Sequence, residues 1–333
     1  MRFGPVPLDQ AAGAILAHSL ALPGGRMRKG RVLDGDDIAR LRATGVAEVT
    51  VARMEPADVG EDAAALKLAR AVVPDPAAAG LELRPMGTGR VNVLATGPGV
   101  VEVQAARIHA LNAVDPTITI ATVPEWQRVE AGTMVATVKI IAYAVPGAAL
   151  ERACAAGAAA LRLRPPVLRR AALIQTVVDD DDGEKGQREI GKRLARLDVA
   201  LGPKRLVPHR VAELAAALRG AEGEVLMILT GSATSDIRDV APQAVRAAGG
   251  EVAHFGMPVD PGNLLFIGRI GARLVIGLPG CARSPALNGA DWVIERVVCG
   301  VPVGGPEIMA MGVGGLLKEI PTRPQPRERK RPG

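Results

Sequence analysis

The second half of the chain alternates apolar runs of strand length with longer segments whose apolar residues recur at helical spacing. Runs at 171–178, 205–208 and 224–230 predict buried strands, and 264–278 predicts a hairpin that turns near Gly271. Strands that alternate with helices are typical of βαβ units, in which the helices cover a parallel sheet. We therefore predict an α/β fold with a mostly parallel sheet and helices on both faces.

The first half of the chain has shorter and more varied runs. We predict a helix from Leu8 towards a turn at Pro23, a second helix behind the N-cap residue Asp34, and an alanine-rich helix over 57–73. Between 87 and 146, β-prone runs are separated by turns rich in Gly and Pro. This pattern predicts a β-rich N-terminal region.

The change of pattern near residue 164 indicates a domain boundary. With 333 residues, the chain is long enough for two domains that each bury a core. We predict an N-terminal α+β region over 1–163, with a β-rich module at 87–146, and an α/β domain over 164–305. The end of the chain, 306–333, becomes rich in Pro and Arg and is predicted to be a tail or linker.

Three loops are predicted to follow strands of the parallel sheet. They are Asp179–Gly186, Gly231–Asp239 and Gly277–Ser284. The carboxyl ends of parallel strands meet at one edge of a sheet, where open α/β sheets hold their ligands. Small residues and hydroxyls in such loops offer hydrogen-bond donors to an anion. We interpret the second and third loops as facing walls of one site.

The first of these loops contains four successive aspartates, Asp179 to Asp182. Neighbouring carboxylates repel one another, so one interpretation is a solvated acidic loop. The other is a Mg²⁺ site with Asp179 and Asp180 as ligands, because hard cations prefer carboxylate oxygens. The sequence leaves both interpretations open.

The other two loops hold the remaining candidate residues. Asp239 either caps the helix that follows it or acts at the mouth of the site. Gly280 allows the backbone to approach a ligand closely. Arg283 and Ser284 can form hydrogen bonds with a phosphate.

Composition limits the kinds of partner. Aromatic residues make up only 2% of the chain, so the stacking platforms of single-strand binders are nearly absent and we expect no nucleic-acid partner. A formal charge of +6 suits an anionic ligand. The basic cluster at 26–31 is either a solvated turn or an arm that reaches such a ligand. A scaffold that binds nucleic acid through the basic tail is a separate hypothesis.

Cysteine and histidine usage argues against structural metal sites. Three cysteines form no C-x-x-C pair, and the four histidines lack metal-binding spacing. The N-terminus has no apolar signal core, and no apolar run is long enough to span a bilayer. We therefore expect a cytoplasmic protein without a membrane partner.

Three motifs in the second half occur together: a Thr-Gly-Ser-Ala-Thr loop that ends in Asp, a Pro-Gly turn at 261–262, and Gly-Leu-Pro-Gly followed by Ser284. In this combination the chain resembles the molybdopterin-binding domain of molybdenum cofactor biosynthesis. Within that family it is most similar to the molybdopterin molybdotransferases related to the gephyrin E domain. The resemblance covers 166–303 well, 5–53 in part and the central β-rich module poorly.

The resemblance implies that the chain binds molybdopterin, or its adenylate, between the second and third loops. Together with Arg283, the matching positions are the predicted substrate-binding residues, and Asp239 is the predicted catalytic residue. The substrate-binding residues are Thr230, Gly231, Ser232, Thr234, Pro279, Gly280, Arg283 and Ser284. The resemblance also implies a homodimer, Mg²⁺ as an accompanying ion, and a nucleotidyltransferase or molybdoenzyme as partner.

The turn at 260–263 departs from the family pattern. Asp260 and Asn263 stand where the family carries two lysines, which would neutralise an oxyanion. We expect Arg283 or the basic cluster at 26–31 to replace them. Two functions stay open: Mg²⁺-assisted transfer that supports molybdenum insertion, and a non-catalytic carrier that hands the cofactor to a partner enzyme.

Overall fold

A computed structural model describes residues 1–178 and 180–317. The chain divides into two compact units. The first consists of Met1–Gly97 and Val101–Leu163. The second consists of Pro98–Val100 and the chain from Arg164 onwards. Asp179 and residues 318–333, which make up most of the predicted tail, lie outside the described residues.

Most of the chain up to Arg164 is built from short strands, with four helices among its described elements. The strands are β1 (Arg2–Pro7), β2 (Ile15–Leu16), β3 (Leu20–Leu22), β4 (Gly25–Met27), β5 (Glu48–Arg53), β6 (Asp58–Gly60), β7 (Leu81–Gly87), β8 (Arg90–Ala95), β9 (Gly99–Val103), β10 (Ile118–Thr122), β11 (Arg128–Val129), β12 (Met134–Ile140), β13 (Ala144–Pro146) and β14 (Leu161–Arg164). The helices are α1 (Gly35–Ala43), α2 (Glu61–Val72), α3 (Ala105–Asn112) and α4 (Gly147–Ala156). An antiparallel sheet in the order β10-β12-β8-β7 shares its core with α2, α3 and α4. The predicted β-rich N-terminal region is confirmed.

The helix predicted to start at Leu8 is wrong. Only Leu8–Gln10 forms a helical turn, of the 3-10 type, and Ile15–Leu16 instead pairs with β5. Apolar residues in this stretch are buried with the inner face of β5, so pairing with that strand overrides the helical spacing. By contrast, the predicted cap is confirmed, because the Asp34 carboxylate accepts a hydrogen bond from the amide of Asp37 at 2.8 Å.

The second unit has longer elements in regular alternation. Its strands are β15 (Arg170–Val177), β16 (Ala200–Leu201), β17 (Arg205–Pro208), β18 (Val225–Leu229), β19 (Glu251–Phe255), β20 (Phe266–Ile270) and β21 (Arg273–Leu278). Its helices are α5 (Glu184–Ala195), α6 (Val211–Arg219), α7 (Val240–Ala247), α8 (Gly289–Val298) and α9 (Gly305–Met309). The hairpin predicted to turn near Gly271 is confirmed as β20 and β21.

These strands form one sheet in the order β16-β15-β18-β21-β20-β19, and β17 also pairs with β15. Strands β15 to β18 and β21 run parallel, whereas β20 is antiparallel to both of its neighbours, β21 and β19. Helices α6 and α7 share a core with one face of the sheet. On the other face, Gly186 of α5 lies against Gln175 and Leu229. The predicted α/β fold, with a mostly parallel sheet and helices on both faces, is confirmed.

Across 1–178 and 180–317, no helix is long and apolar enough to cross a bilayer.

Candidate functional site

The candidate site lies at the edge of the sheet where the parallel strands end. Strands β15, β17, β18 and β21 run in the same direction, so the residues that follow them emerge side by side. This arrangement brings together the loop after β15, the loop after β18 and the loop after β21. His209 follows β17 at the same edge.

Arg283 connects these loops. Its Nη2 donates a hydrogen bond to the main-chain oxygen of Thr230 at 2.9 Å. Burial lowers the pKa of Arg283, and the negative charge of Asp181 opposes that shift. An arginine stays protonated under either influence, because its ordinary pKa is above 12. A half-buried positive charge is therefore held between the three loops.

The loop after β18 is anchored by its first residues. Thr230 and Thr234 are buried, with their Oγ1 atoms 3.2 Å apart. The amide of Gly231 donates to Oγ1 of Thr176 at 3.0 Å, and a Cβ at Gly231 would lie 2.8 Å from the main-chain oxygen of Thr176. Only glycine allows this approach. Ser232 is exposed at the tip of the loop.

Asp239 is the N-cap of α7. Its Oδ1 accepts from the amide of Val240 at 2.7 Å, and its Oδ2 accepts from the amide of Ser235 at 3.1 Å. The carboxylate thus closes its own loop and caps the helix, as the first of our two interpretations expected. Its catalytic role stays a prediction.

The loop after β21 is held from behind by Arg193 of α5. Arg193 is buried, and each of its five N–H groups donates a hydrogen bond. The acceptors are Oδ1 of Asp291 at 2.5 Å and the main-chain oxygens of Glu189, Ala282, Ser284 and Ala286 at 3.2, 3.0, 2.8 and 3.1 Å. Three of these oxygens belong to the loop and its continuation, so Arg193 fixes its path.

The predicted binding residues of this loop differ in their surroundings. Pro279 is buried, whereas Gly280 is exposed and a Cβ there would meet only Nη1 of Arg283, at 3.9 Å. The hydroxyl of Ser284 accepts from the amide of Ala286 at 3.2 Å. The protein itself leaves room for a side chain at position 280. Glycine would be required there only if a ligand approached the backbone closely.

The acidic loop after β15 is exposed from Asp180 to Asp182. Oδ1 of Asp181 accepts from the amide of Gly183 at 2.9 Å, and Oδ1 of Asp182 accepts from the amide of Glu184 at 3.0 Å. Among the described residues, no group of three or more His, Cys, Asp or Glu side chains could hold a metal ion. Asp179 lies outside them, so the Mg²⁺ site at Asp179 and Asp180 stays a prediction.

The turn at Asp260 lies beside the loop after β21. Burial is the main cause that raises the pKa of Cys281, and the charge of Asp260 adds to the increase. The main chain of Asp260 is paired with the end of the described chain, through Gly315 at 2.8 Å and Leu317 at 2.9 Å. An acidic side chain therefore stands next to the candidate site.

Sequence reasoning missed Arg193, Thr176 and His209. Arg193 shares a helical face with the apolar residues Ile190, Leu194 and Leu197, and a single arginine on such a face was a usable signal. His209 directly follows the predicted strand at 205–208, so its place at the strand-end edge could also have been predicted.

Comparisons with known proteins give distant similarities. Residues 5–53 match a family described as a domain of unknown function (DUF8806). A comparison with curated protein sequences gives no match. Three of the similar solved structures are the molybdopterin biosynthesis MoeA protein from Pyrococcus horikosii (16% identity, TM-score 0.32, covering 90% of this chain and 75% of that chain), a molybdenum cofactor biosynthesis protein B (14%, 0.28, 39% and 88%) and a molybdenum cofactor biosynthesis protein from Pyrococcus furiosus (12%, 0.26, 91% and 66%). Similarities at this level do not assign a role to any residue of this chain.

Proposed function

We propose that this protein acts in molybdenum cofactor biosynthesis and binds molybdopterin, or its adenylate, at the strand-end edge of the second unit. The observation that carries the proposal is the contact between Arg283 and Thr230, which joins the two loops whose sequences resemble a molybdopterin-binding domain. The two loops are separate in the chain, with Thr230 and Arg283 53 positions apart, and they meet at a half-buried positive charge.

In this proposal each loop has a distinct task. The loop from Thr230 to Asp239 supplies amides and hydroxyls to the ligand, and Arg283 supplies the charge that a phosphate requires. Pro279, Gly280 and Ser284 form the opposite wall. If the protein is catalytic, it positions a phosphate for transfer and neutralises its charge, with Mg²⁺ held at Asp179 and Asp180.

A non-catalytic carrier is the second candidate function. It is favoured by the turn beside Cys281, where Asp260 and Asn263 replace the lysines of the family that the sequence resembles. An acid and an amide cannot neutralise an incoming oxyanion such as molybdate. Such a protein would bind the cofactor and pass it to a nucleotidyltransferase or a molybdoenzyme.

The first experiment measures the binding of molybdopterin and of its adenylate to the full chain. We expect saturable binding of at least one of them, and binding of neither would refute the proposal. Release of AMP from the adenylate that depends on molybdate indicates a transferase. Binding without such release indicates a carrier.

Two variants of Asp239 separate its cap from its charge. Asp239→Asn keeps an oxygen that can accept from the amide of Val240, whereas Asp239→Ala loses the cap as well. If the carboxylate contacts the pterin or a metal, both variants lose affinity or turnover. If Asp239 only caps α7, Asp239→Asn behaves like the unchanged protein.

A further inference from the structure

A continuous chain of hydrogen bonds runs along the strand-end edge from Arg283 to His209. Nη2 of Arg283 donates to the oxygen of Thr230, and the amide of Gly231, in the same peptide group, donates to Oγ1 of Thr176. That hydroxyl lies 2.7 Å from Nδ1 of His209. Arg283 and His209 therefore stand at opposite ends of a chain that passes through one peptide group.

The protons in this chain can be assigned. Thr176 is fully buried, and its hydroxyl has one proton to donate. Because the hydroxyl already accepts the amide of Gly231, its proton has a partner when Nδ1 of His209 is the acceptor. In a neutral imidazole, the ring proton then resides on Nε2.

Nε2 of His209 is available for a ligand. His209 is half-buried, and its Nε2 is neither enclosed nor hydrogen-bonded within the described part of the chain. His254 on β19 differs, because its Nε2 is buried without a partner among the described residues. His209 thus follows β17 at the same edge of the sheet as Arg283, and its Nε2–H group has no partner among the described residues.

We propose that His209 is a ligand-binding residue whose Nε2–H group donates a hydrogen bond to a phosphate oxygen of the ligand. Arg283 supplies the charge from the other side of Gly231, and Thr176 is a positioning residue that fixes the imidazole. The guanidinium group of Arg283 and the Nε2–H group of His209 are both hydrogen-bond donors, which suits an oxyanion that can only accept. The identity of the ligand rests on the proposed function, but the recognition of a phosphate oxygen does not.

The direct test is NMR spectroscopy of the full chain labelled with ¹⁵N-histidine. In the free protein we expect the Nε2-protonated form of His209. Addition of inorganic phosphate or AMP should shift its Nε2 resonance and leave that of His109, an exposed residue of the first unit, unchanged. A shift with phosphate alone indicates a terminal phosphate group, and a shift with AMP indicates the phosphate of the adenylate. No shift with either probe would overturn the proposal.

Variants provide the second test. His209→Ala should weaken binding of the effective probe about 10- to 100-fold, the usual effect of one hydrogen bond to a charged group. His209→Gln, which retains an N–H donor, should recover part of this loss, and His109→Gln should have no effect. Thr176→Val should weaken binding while Thr176→Ser does not. Equal affinity of His209→Ala and the unchanged protein would refute the role of His209.

The outcome is separable from that of the proposed function. If the unchanged protein fails to bind molybdopterin but phosphate shifts the Nε2 resonance, the proposed function is wrong and the role of His209 stands. If molybdopterin binds equally well to the unchanged protein and to His209→Ala, the reverse is true.

Discussion

Arg283 donates a hydrogen bond to the main-chain oxygen of Thr230 at 2.9 Å, although the two residues are 53 positions apart in the chain. The contact joins the loop after β21 to the loop after β18. It also places a guanidinium group within the electrostatic influence of Asp181, in the loop after β15. The strand-end edge is therefore organised around one positive charge, and several predictions test its importance.

Replacement of Arg283 by Gln should weaken the binding of a phosphate-containing ligand by about tenfold or more. The variant removes the charge but keeps an N–H donor on a shorter side chain, so it tests the charge without deleting the whole side chain. A hydrogen bond from a charged group contributes about 1.5–3 kcal/mol, which sets the expected range. Isothermal titration calorimetry with AMP or molybdopterin measures the change.

Arg273→Gln is the matched control for that variant. Arg273 is the first residue of β21, at the end opposite to the loop that holds Arg283, and it also donates to a main-chain oxygen, that of Ala221, at 2.6 Å. We expect its affinity to equal that of the unchanged protein. A similar loss in both variants would show that general charge, and not the position of Arg283, determines binding.

Replacement of Arg193 by Met should destabilise the second unit by about 3–5 kcal/mol, because it leaves the buried carboxylate of Asp291 without its positively charged partner. It also leaves main-chain oxygens of the loop after β21 without their donor. A further Asp291→Asn change removes this unpaired charge and should restore part of the stability. No recovery in the double variant would show that lost packing, not the buried charge, causes the effect.

The two tryptophans allow this measurement within one unit. Trp126 belongs to the first unit, and Trp292 on α8 is next to Asp291. In a Trp126→Phe background, fluorescence during urea unfolding reports on the second unit alone. The shift of the midpoint, at constant slope, then gives the change in the free energy of unfolding.

Much of the second unit follows from its sequence, because its strands and helices are set by local patterns. The apolar run at 225–229 and the Gly271 turn define β18 and the β20–β21 hairpin without reference to distant residues. The helix predicted between Leu8 and Leu22 is wrong for the opposite reason. The spacing of this stretch suits a helix, but Ile15–Leu16 pairs with β5 and Leu20–Leu22 pairs with β4.

The candidate site was only partly readable from the sequence. The loops containing Thr230 and Arg283 follow apolar strands and have recognisable composition. The role of Arg193 depends on Asp291, 98 residues away, and that of His209 on Thr176, 33 residues away. A sequence pattern reports which residues follow a strand but not which residues meet across the sheet.

The stability of the second unit should depend on pH through Glu224. Amides of Arg169 and Arg170 donate to its carboxylate at 2.7 and 2.8 Å and lower its pKa from the ordinary 4.5. The folded state thus prefers the charged form, so this stabilisation is complete above pH 4.5 and is lost as the pH falls through the lower folded value. Glu224→Gln should weaken the loss of stability below pH 4.5, measured by urea unfolding at a series of pH values. Glu222→Gln, at an exposed neighbouring position, should retain it.

Close packing of Gly277, on β21, against Phe266 should make the stability of the second unit sensitive to one added methyl group. A Cβ at Gly277 would lie 1.9 Å from Cε1 of the Phe266 ring, and Phe266 is buried on the adjacent strand. Gly277→Ala should therefore destabilise the second unit by about 1–3 kcal/mol. Phe266→Leu alone should also destabilise it, but in the double variant the smaller side chain makes room for the methyl group. We expect the double variant to be more stable than the sum of the single changes predicts, and strict additivity would contradict this steric explanation.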